Sequence, residues 1–276
     1  MAKLLFGAVR DTLAELLADP KYLGARPAFL LTLHTWGRSL ALHPHIHALV
    51  TDGGLSESGE WVRPRRSHFL PARVVMMVFR GKLLARLRSA LDEATLRRSP
   101  RQSPERLASL LNKLGRVKWN VHLRTRYAHG AGVAAYLARY LRGGPLKNTQ
   151  LIEVSHQRIG FRYNPHRDEA DASTERVLMQ LSPEQFFTRY LAHVPQPGLQ
   201  SLRSYGLYAH TQAERLDCAR ARLGQAPAEV PPPLTPQAFL ARFANTTAPT
   251  HCPRCGRALI TLALTTHATG PPSLLH

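Results

Sequence analysis

The sequence predicts an α+β domain with a largely antiparallel sheet and helices packed on it, followed by a helical and Pro-rich C-terminal extension. Three observations predict this. Short apolar, β-branched runs bounded by Gly, Pro or Asp recur at 28–35, 44–50, 117–125, 148–155, 158–163 and 175–181, as strands do. Apolar residues at helical spacing recur at 2–19, 71–96, 103–114 and 133–142. At 276 residues with 44% hydrophobic content the chain can bury a sizeable core, and composition then shifts at 225–236, QAPAEVPPPLTP, as in a linker. The expected division is 1–210, 211–236 and 237–276.

In chain order, Leu4, Leu5, Ala8, Val9, Leu13, Leu16 and Leu17 line one side of a first helix, which Asp19-Pro20 stops. Pro27 admits a strand over Ala28–Thr35. A second strand, Pro44-His45-Ile46-His47-Ala48-Leu49-Val50, ends at the Asp52-Gly53-Gly54 turn. Side chains alternate across a strand, so His45 and His47 share a face while Ile46 packs behind them. The 37–42 connection is short enough for the two strands to lie side by side, and if they pair, His34 reaches the same spot. Three neutral imidazoles there would make a divalent-cation site with positions open to substrate oxygens. The competing reading is an ordinary His-X-His strand, a common pattern without a metal.

Further along, Trp61-Val62 begins a short strand. Two helices follow, at 71–96 and 103–114, the first carrying Arg73, Arg80, Lys82, Arg86 and Arg88; this basic side suits either solvent or phosphate. VKWNVHLRT, 117–125, alternates as a strand and offers His122 as another third ligand. Gly130–Gly132 leads into a helix over 133–142, closed by Gly143-Gly144-Pro145, on which Tyr136 and Tyr140 are neighbours on one face. Ser182 caps a helix with Pro183 at its first position, and a further helix spans 213–223. Tyr205 and Tyr208, near Arg203, suit core packing or base stacking. Cys252 and Cys255, in His251-Cys252-Pro253-Arg254-Cys255-Gly256, suit either half of a Zn²⁺ site or a pair of reduced, unliganded thiols.

Charge narrows the function classes. Lys and Arg total 37 against 18 Asp and Glu, a net +19 with a pI near 10.9. Such an excess points to polyanionic partners, nucleic acid first and acidic membranes second. Three cysteines make no disulfide framework, and no apolar run suits a membrane span, so a soluble cytoplasmic protein is expected. A basic chain with a His-X-His strand and a Tyr-bearing helix supplies the parts for cutting a DNA phosphodiester through a covalent phosphotyrosine.

His45-Ile46-His47 resembles the His-hydrophobic-His (HUH) signature of rolling-circle initiators, relaxases and certain transposases. More closely, LHTWGRSLALHPHIHALVTDGG, KWNVH, AAYLARYLRGGPL and PQPGLQSLRSYGLYAH, in order between Leu4 and His210, resemble the insertion-sequence 91 type of two-tyrosine HUH transposases, which include the common-region elements. The resemblance implies an HUH palm at 1–210 acting as a metal-dependent nickase and strand transferase on single-stranded DNA at element ends. Its metal, Mg²⁺ or Mn²⁺, would be held by His45 and His47, with His34 the third ligand by analogy to relaxase-like sites. Tyr136 and Tyr140 match the two nucleophiles, and Lys118, Arg124, Arg139 and Arg142 are the expected DNA contacts. Family members carry an N-terminal zinc-binding module before the region equivalent to Leu4; this chain begins without it, which implies an intact catalytic core with impaired end recognition. The alternatives are an inactive DNA-binding remnant, or a related HUH initiator or relaxase.

Overall fold

The structure is a computed structural model. It describes residues 1–65, 70–124, 126–127, 130–141, 144–164 and 176–227, with isolated positions 232, 234–235, 238, 242 and 255–257, and at 139–141 the backbone alone. Met1–Gly224 forms one compact unit and Gln225–His276 another; the elements below belong to the first.

The chain begins with helix α1 (Ala2–Ala18), which leads into the antiparallel hairpin β1 (Ala28–Trp36) and β2 (Leu42–Val50). A two-residue pair, β3 (Gly54–Leu55) with β4 (Trp61–Val62), follows, then helices α2 (Ala72–Asp92), α3 (Pro104–Leu114) and α4 (Gly130–Leu141). The second half runs β5 (Leu151–Val154), β6 (Ile159–Tyr163), β7 (Val177–Leu181), α5 (Pro183–Leu191), β8 (Leu202–Gly206) and α6 (Ala213–Arg222).

The expected α+β class is observed, and every named strand pairing among the described residues is antiparallel. The sheet, however, is divided into the orders β2-β1-β8, β3-β4 and β5-β6-β7. Two expectations need correction. Residues 117–124 form no strand: Trp119 stacks edgewise on Phe79 of α2, ring centroids 5.6 Å apart, and its Nε1–H donates to the Leu114 carbonyl at 3.0 Å. Those contacts take the place of a sheet ladder, and Val117 and Leu123 stay exposed. Conversely β8, which the alternation did not announce, pairs with β1 in the register Phe29↔Tyr205.

Strand parity then sets the two faces of the hairpin. Phe29, Leu31 and Leu33 of β1 enter the main core with Phe6, Leu13, Leu16 and Leu17 of α1 and Val75 of α2. Ile46 and Val50 of β2 pack against the same core. The opposite parity, Thr32 and His34 on β1 with His45 and His47 on β2, therefore faces away from α1. Ion pairs tie α1 to α2, Asp11 with Arg86 and Glu15 with Lys82 (2.6 Å). Lys82 of α2 is thus matched by a carboxylate of α1, while Arg86 shares Asp11 with Arg10.

A second core gathers Ile159, Phe161, Leu181 and Phe186 under β5-β6-β7 and α5. Leu40, in the connection between β1 and β2, is only 1% exposed and belongs to it. The hairpin is consequently rooted at one end in the first core and at its tip in the second. α5 begins as the sequence predicts, with Pro183 at its first turn and a reciprocal Ser182–Gln185 capping box.

Candidate metal centre

His34 and His45 are direct cross-strand partners, and His47 lies opposite Thr32. Partners on one face of an antiparallel pair stand about 5 Å apart at Cβ, so this register brings the three imidazoles together. One ligand nitrogen from each of His34, His45 and His47 lies within 4.8 Å of the other two. Ring centroids are 5.5 Å apart for His34–His45, 4.6 Å for His34–His47 and 4.9 Å for His45–His47. His122 lies exposed in the irregular 117–124 segment and outside this group.

A bulge shapes the site. The pairing shifts between His34↔His45 and Trp36↔Leu42, leaving an extra residue in β2 where His43 and Pro44 sit. Pro44 is tolerated because β2 is an edge strand of its sheet. In the bulge the His43 carbonyl lies 2.7 Å from Nδ1 of His45. A carbonyl only accepts, so Nδ1 carries the hydrogen and Nε2 keeps its lone pair for a ligand.

Electrostatics favour uncharged imidazoles. Burial first, then His34, His45 and Arg124, lower the His47 pKa from 6.5 to about 4. Burial also pushes His45 down, against the bond to His43. His34 is 5% exposed, and Trp36 stacks on it with centroids 4.4 Å apart and planes 16° apart. One buried and two half-buried imidazole donors at this spacing fit a divalent transition-type cation, and the low pKa of His47 and His45 keeps nitrogen lone pairs available to it.

Tyr136 of α4 faces the cluster, its ring 6.3 Å from that of His47. Tyr127 lies beyond it at 6.0 Å. A Cβ at Gly132 would come within 2.7 Å of the Tyr127 ring, so glycine there lets Tyr127 lie against α4 beside Tyr136. Arg124 is exposed, close enough to His47 to depress its pKa, and Arg126 donates to Asp52, just past β2, at 3.0 Å. Lys118 is exposed.

Of the other expected residues, Tyr140 and Arg139 lie on α4 with only their backbone described. Arg142 and Cys252 fall outside the described residues, and Cys255 is an exposed free thiol. Tyr205 packs on Phe29, centroids 5.6 Å apart, so core packing is its role. Sequence reasoning missed Trp36, Tyr127 and His193. Trp36 shares the parity of His34 and was open to that reading; Tyr127 and His193 reach the site region through tertiary contacts that no local pattern encodes.

Fold and site together define a basic α+β protein with three histidines gathered on a hairpin and a tyrosine facing them. Residues 28–215 match the family described as "Putative transposase" (Y2_Tnp), and the chain belongs to that transposase family. It is 32% identical, over 98% of its length and 69% of the relative's, to the protein named "Putative transposase y4qJ" of Sinorhizobium fredii. It is 29% identical, over 72% of its length, to the transposase for insertion sequence element IS801 of Pseudomonas savastanoi pv. phaseolicola, of which the match spans 49%. These relatives agree with the insertion-sequence 91 type resemblance. No solved structure matches the chain. Among the described residues no helix is long and apolar enough to cross a membrane.

Proposed function

We propose that this chain is a two-tyrosine transposase of the HUH class, nicking and rejoining single-stranded DNA at the ends of a mobile element as rolling-circle transposition requires. The observation that carries the reading is Tyr136 standing beside the His34–His45–His47 cluster. In this reading Met1–His210 serves as the HUH palm, the three histidines hold Mg²⁺ or Mn²⁺, and Tyr136 and Tyr140 are the nucleophiles.

Bound by the histidines, the cation supplies Lewis-acid neutralisation of charge on the scissile phosphate. The chain's own groups do the rest. The Tyr136 hydroxyl gives up its proton to solvent water, and its oxygen bonds to phosphorus. The bond from phosphorus to the 3′ oxygen breaks, and that oxygen leaves with the electron pair and takes up a proton. The 5′ end stays on the tyrosine until a 3′ hydroxyl attacks the phosphotyrosine and restores a phosphodiester. A second nucleophile, Tyr140, allows another cleavage while the first 5′ end is still held. In this reading Arg124, whose charge reaches His47, meets the phosphate, and Lys118, Arg139 and Arg142 are further DNA contacts. The paired thiols Cys252 and Cys255 would supply half of a Zn²⁺ site in the C-terminal tail.

Covalent capture tests this. The protein is incubated with labelled single-stranded DNA from element ends and Mn²⁺ or Mg²⁺, and a labelled protein band is sought on a denaturing gel. Wild type is expected to form the adduct. Tyr136→Phe and Tyr140→Phe are each expected to reduce it, and their combination or His45→Ala to lower it by about 10³-fold or more. An all-imidazole donor set favours Mn²⁺ over Mg²⁺, so Mn²⁺ should suffice at lower concentration. No adduct from wild type with DNA binding intact would replace this reading with that of an inactive DNA-binding remnant.

A further inference from the structure

We propose that His193, a residue distant in sequence from the site, is a positioning residue for the three-histidine cluster. It follows α5 and is 5% exposed. A buried imidazole must satisfy both ring nitrogens, and here each contacts the β1–β2 hairpin. Nε2 lies 3.0 Å from the Leu40 carbonyl, and Nδ1 3.2 Å from Oγ1 of Thr35. Because the carbonyl only accepts, Nε2 is the donor; in the single-proton tautomer Nδ1 accepts from the Thr35 hydroxyl.

These bonds hold both ends of the connection between the two histidine-bearing strands. Thr35 immediately follows His34. Leu40 has φ of +61°, an uncommon conformation for a leucine, and it persists where surrounding contacts over-determine it. His193 supplies one such contact, and the second core encloses the Leu40 side chain. The ring of His193 also meets Trp36 edge-on at 6.2 Å, and Trp36 stacks on His34. A rigid chain thus runs from α5 through His193 to Trp36 and His34. Arg189 and Arg38 brace the same loop, donating to the Ser39 and Asn164 carbonyls at 3.4 and 3.3 Å. Were His193 merely filling space, an apolar side chain would serve, yet both of its polar atoms are aimed at the hairpin.

The inference rests on the metal reading of the cluster, so the test separates the two. Mn²⁺ binding to the full chain is measured by calorimetry for wild type, His193→Leu, His193→Gln and Thr35→Val. Amide hydrogen exchange is followed on the same proteins without metal. Loss of a group that orients ligands lowers metal affinity about 10–100-fold, and His193→Leu is expected in that range. His193→Gln, whose amide can still donate to the Leu40 carbonyl, should recover most of the affinity, and Thr35→Val should lose less than His193→Leu. In the metal-free state His193→Leu should speed exchange at 34–45 by about tenfold or more, while α1 keeps wild-type rates.

Wild-type Mn²⁺ affinity and exchange in His193→Leu would overturn the proposal. So would equal losses in the Leu and Gln variants with exchange faster throughout the chain, the pattern of a general packing defect. Should His193→Leu not fold, Thr35→Val decides: faster exchange confined to the hairpin supports the role, and wild-type exchange with wild-type Mn²⁺ affinity removes it. A wild-type chain that binds no Mn²⁺ would sink the metal reading, and hydrogen exchange would still decide whether His193 positions the hairpin.

Discussion

His47, held down to about 4 by burial first and then by His34, His45 and Arg124, couples the site to pH. In the unfolded chain the same imidazole titrates near its ordinary 6.5. Between those values the unfolded chain binds more protons than the folded one, so stability rises with pH across the window and is lost as pH falls. His45, also pushed down by burial, acts in the same direction. The metal-free protein should therefore lose thermal stability steadily as pH is lowered from about 6.5 towards about 4. His47→Gln, which cannot take up that proton, should show a shallower decline. Denaturation midpoints at several pH values check this, and equal slopes in the two proteins would refute the assignment to His47. A cation bound at the cluster would oppose the decline, because protons would have to displace it from the same nitrogens.

Strand β8 shows how an element can depend on one backbone position. Gly206 ends it with φ of +62°, and a Cβ there would lie 1.9 Å from the Pro27 carbonyl oxygen. Gly206→Ala combines the left-handed penalty with a clash against backbone that cannot turn aside, a loss on the order of 2–4 kcal/mol. Urea denaturation would read it, and a change under ~0.5 kcal/mol, the usual size for a surface substitution, would refute the close approach of Gly206 to Pro27. The element was also hard to read in advance. LRSYG is short and carries an arginine, and its partner β1 is remote in sequence. VKWNVHLRT failed the other way: its alternation is good, but Trp119 is held by α2 and the Leu114 carbonyl. α1 and α5 were legible because apolar period and stop signals, or the Ser182-Pro183 cap, are local. His34, His45 and His47 were legible for a similar reason, since strand parity and a short connection suffice to bring them together. His193 was not, because only packing of the second core against the hairpin tip places it.

Across the whole molecule the charge is lopsided, 37 Lys and Arg against 18 Asp and Glu. Some of those carboxylates are spent within the fold, as in the pairs Asp11–Arg86, Glu15–Lys82, Asp52–Arg126 and Glu60–Arg222. The surplus basic groups are left for a polyanion, and if that polyanion is single-stranded DNA their effect is measurable without any cleavage. Each phosphate neutralised releases condensed counterions, so log affinity falls with log salt at a slope of about −0.7 per contact for a single strand. Arg124→Gln and Lys118→Gln should each make the slope shallower by roughly that amount and weaken binding about equally for different sequences, the signature of phosphate rather than base contacts. Lys82→Gln serves as the control, since its charge is already matched by Glu15; the slope should not change. Salt titrations of fluorescently labelled single-stranded DNA, read by anisotropy, give all of these values. If Arg124→Gln leaves the slope untouched while Lys82→Gln lowers it, the DNA path lies along α2 and not past the histidine cluster, and the geometry of the proposed cleavage site would have to be abandoned.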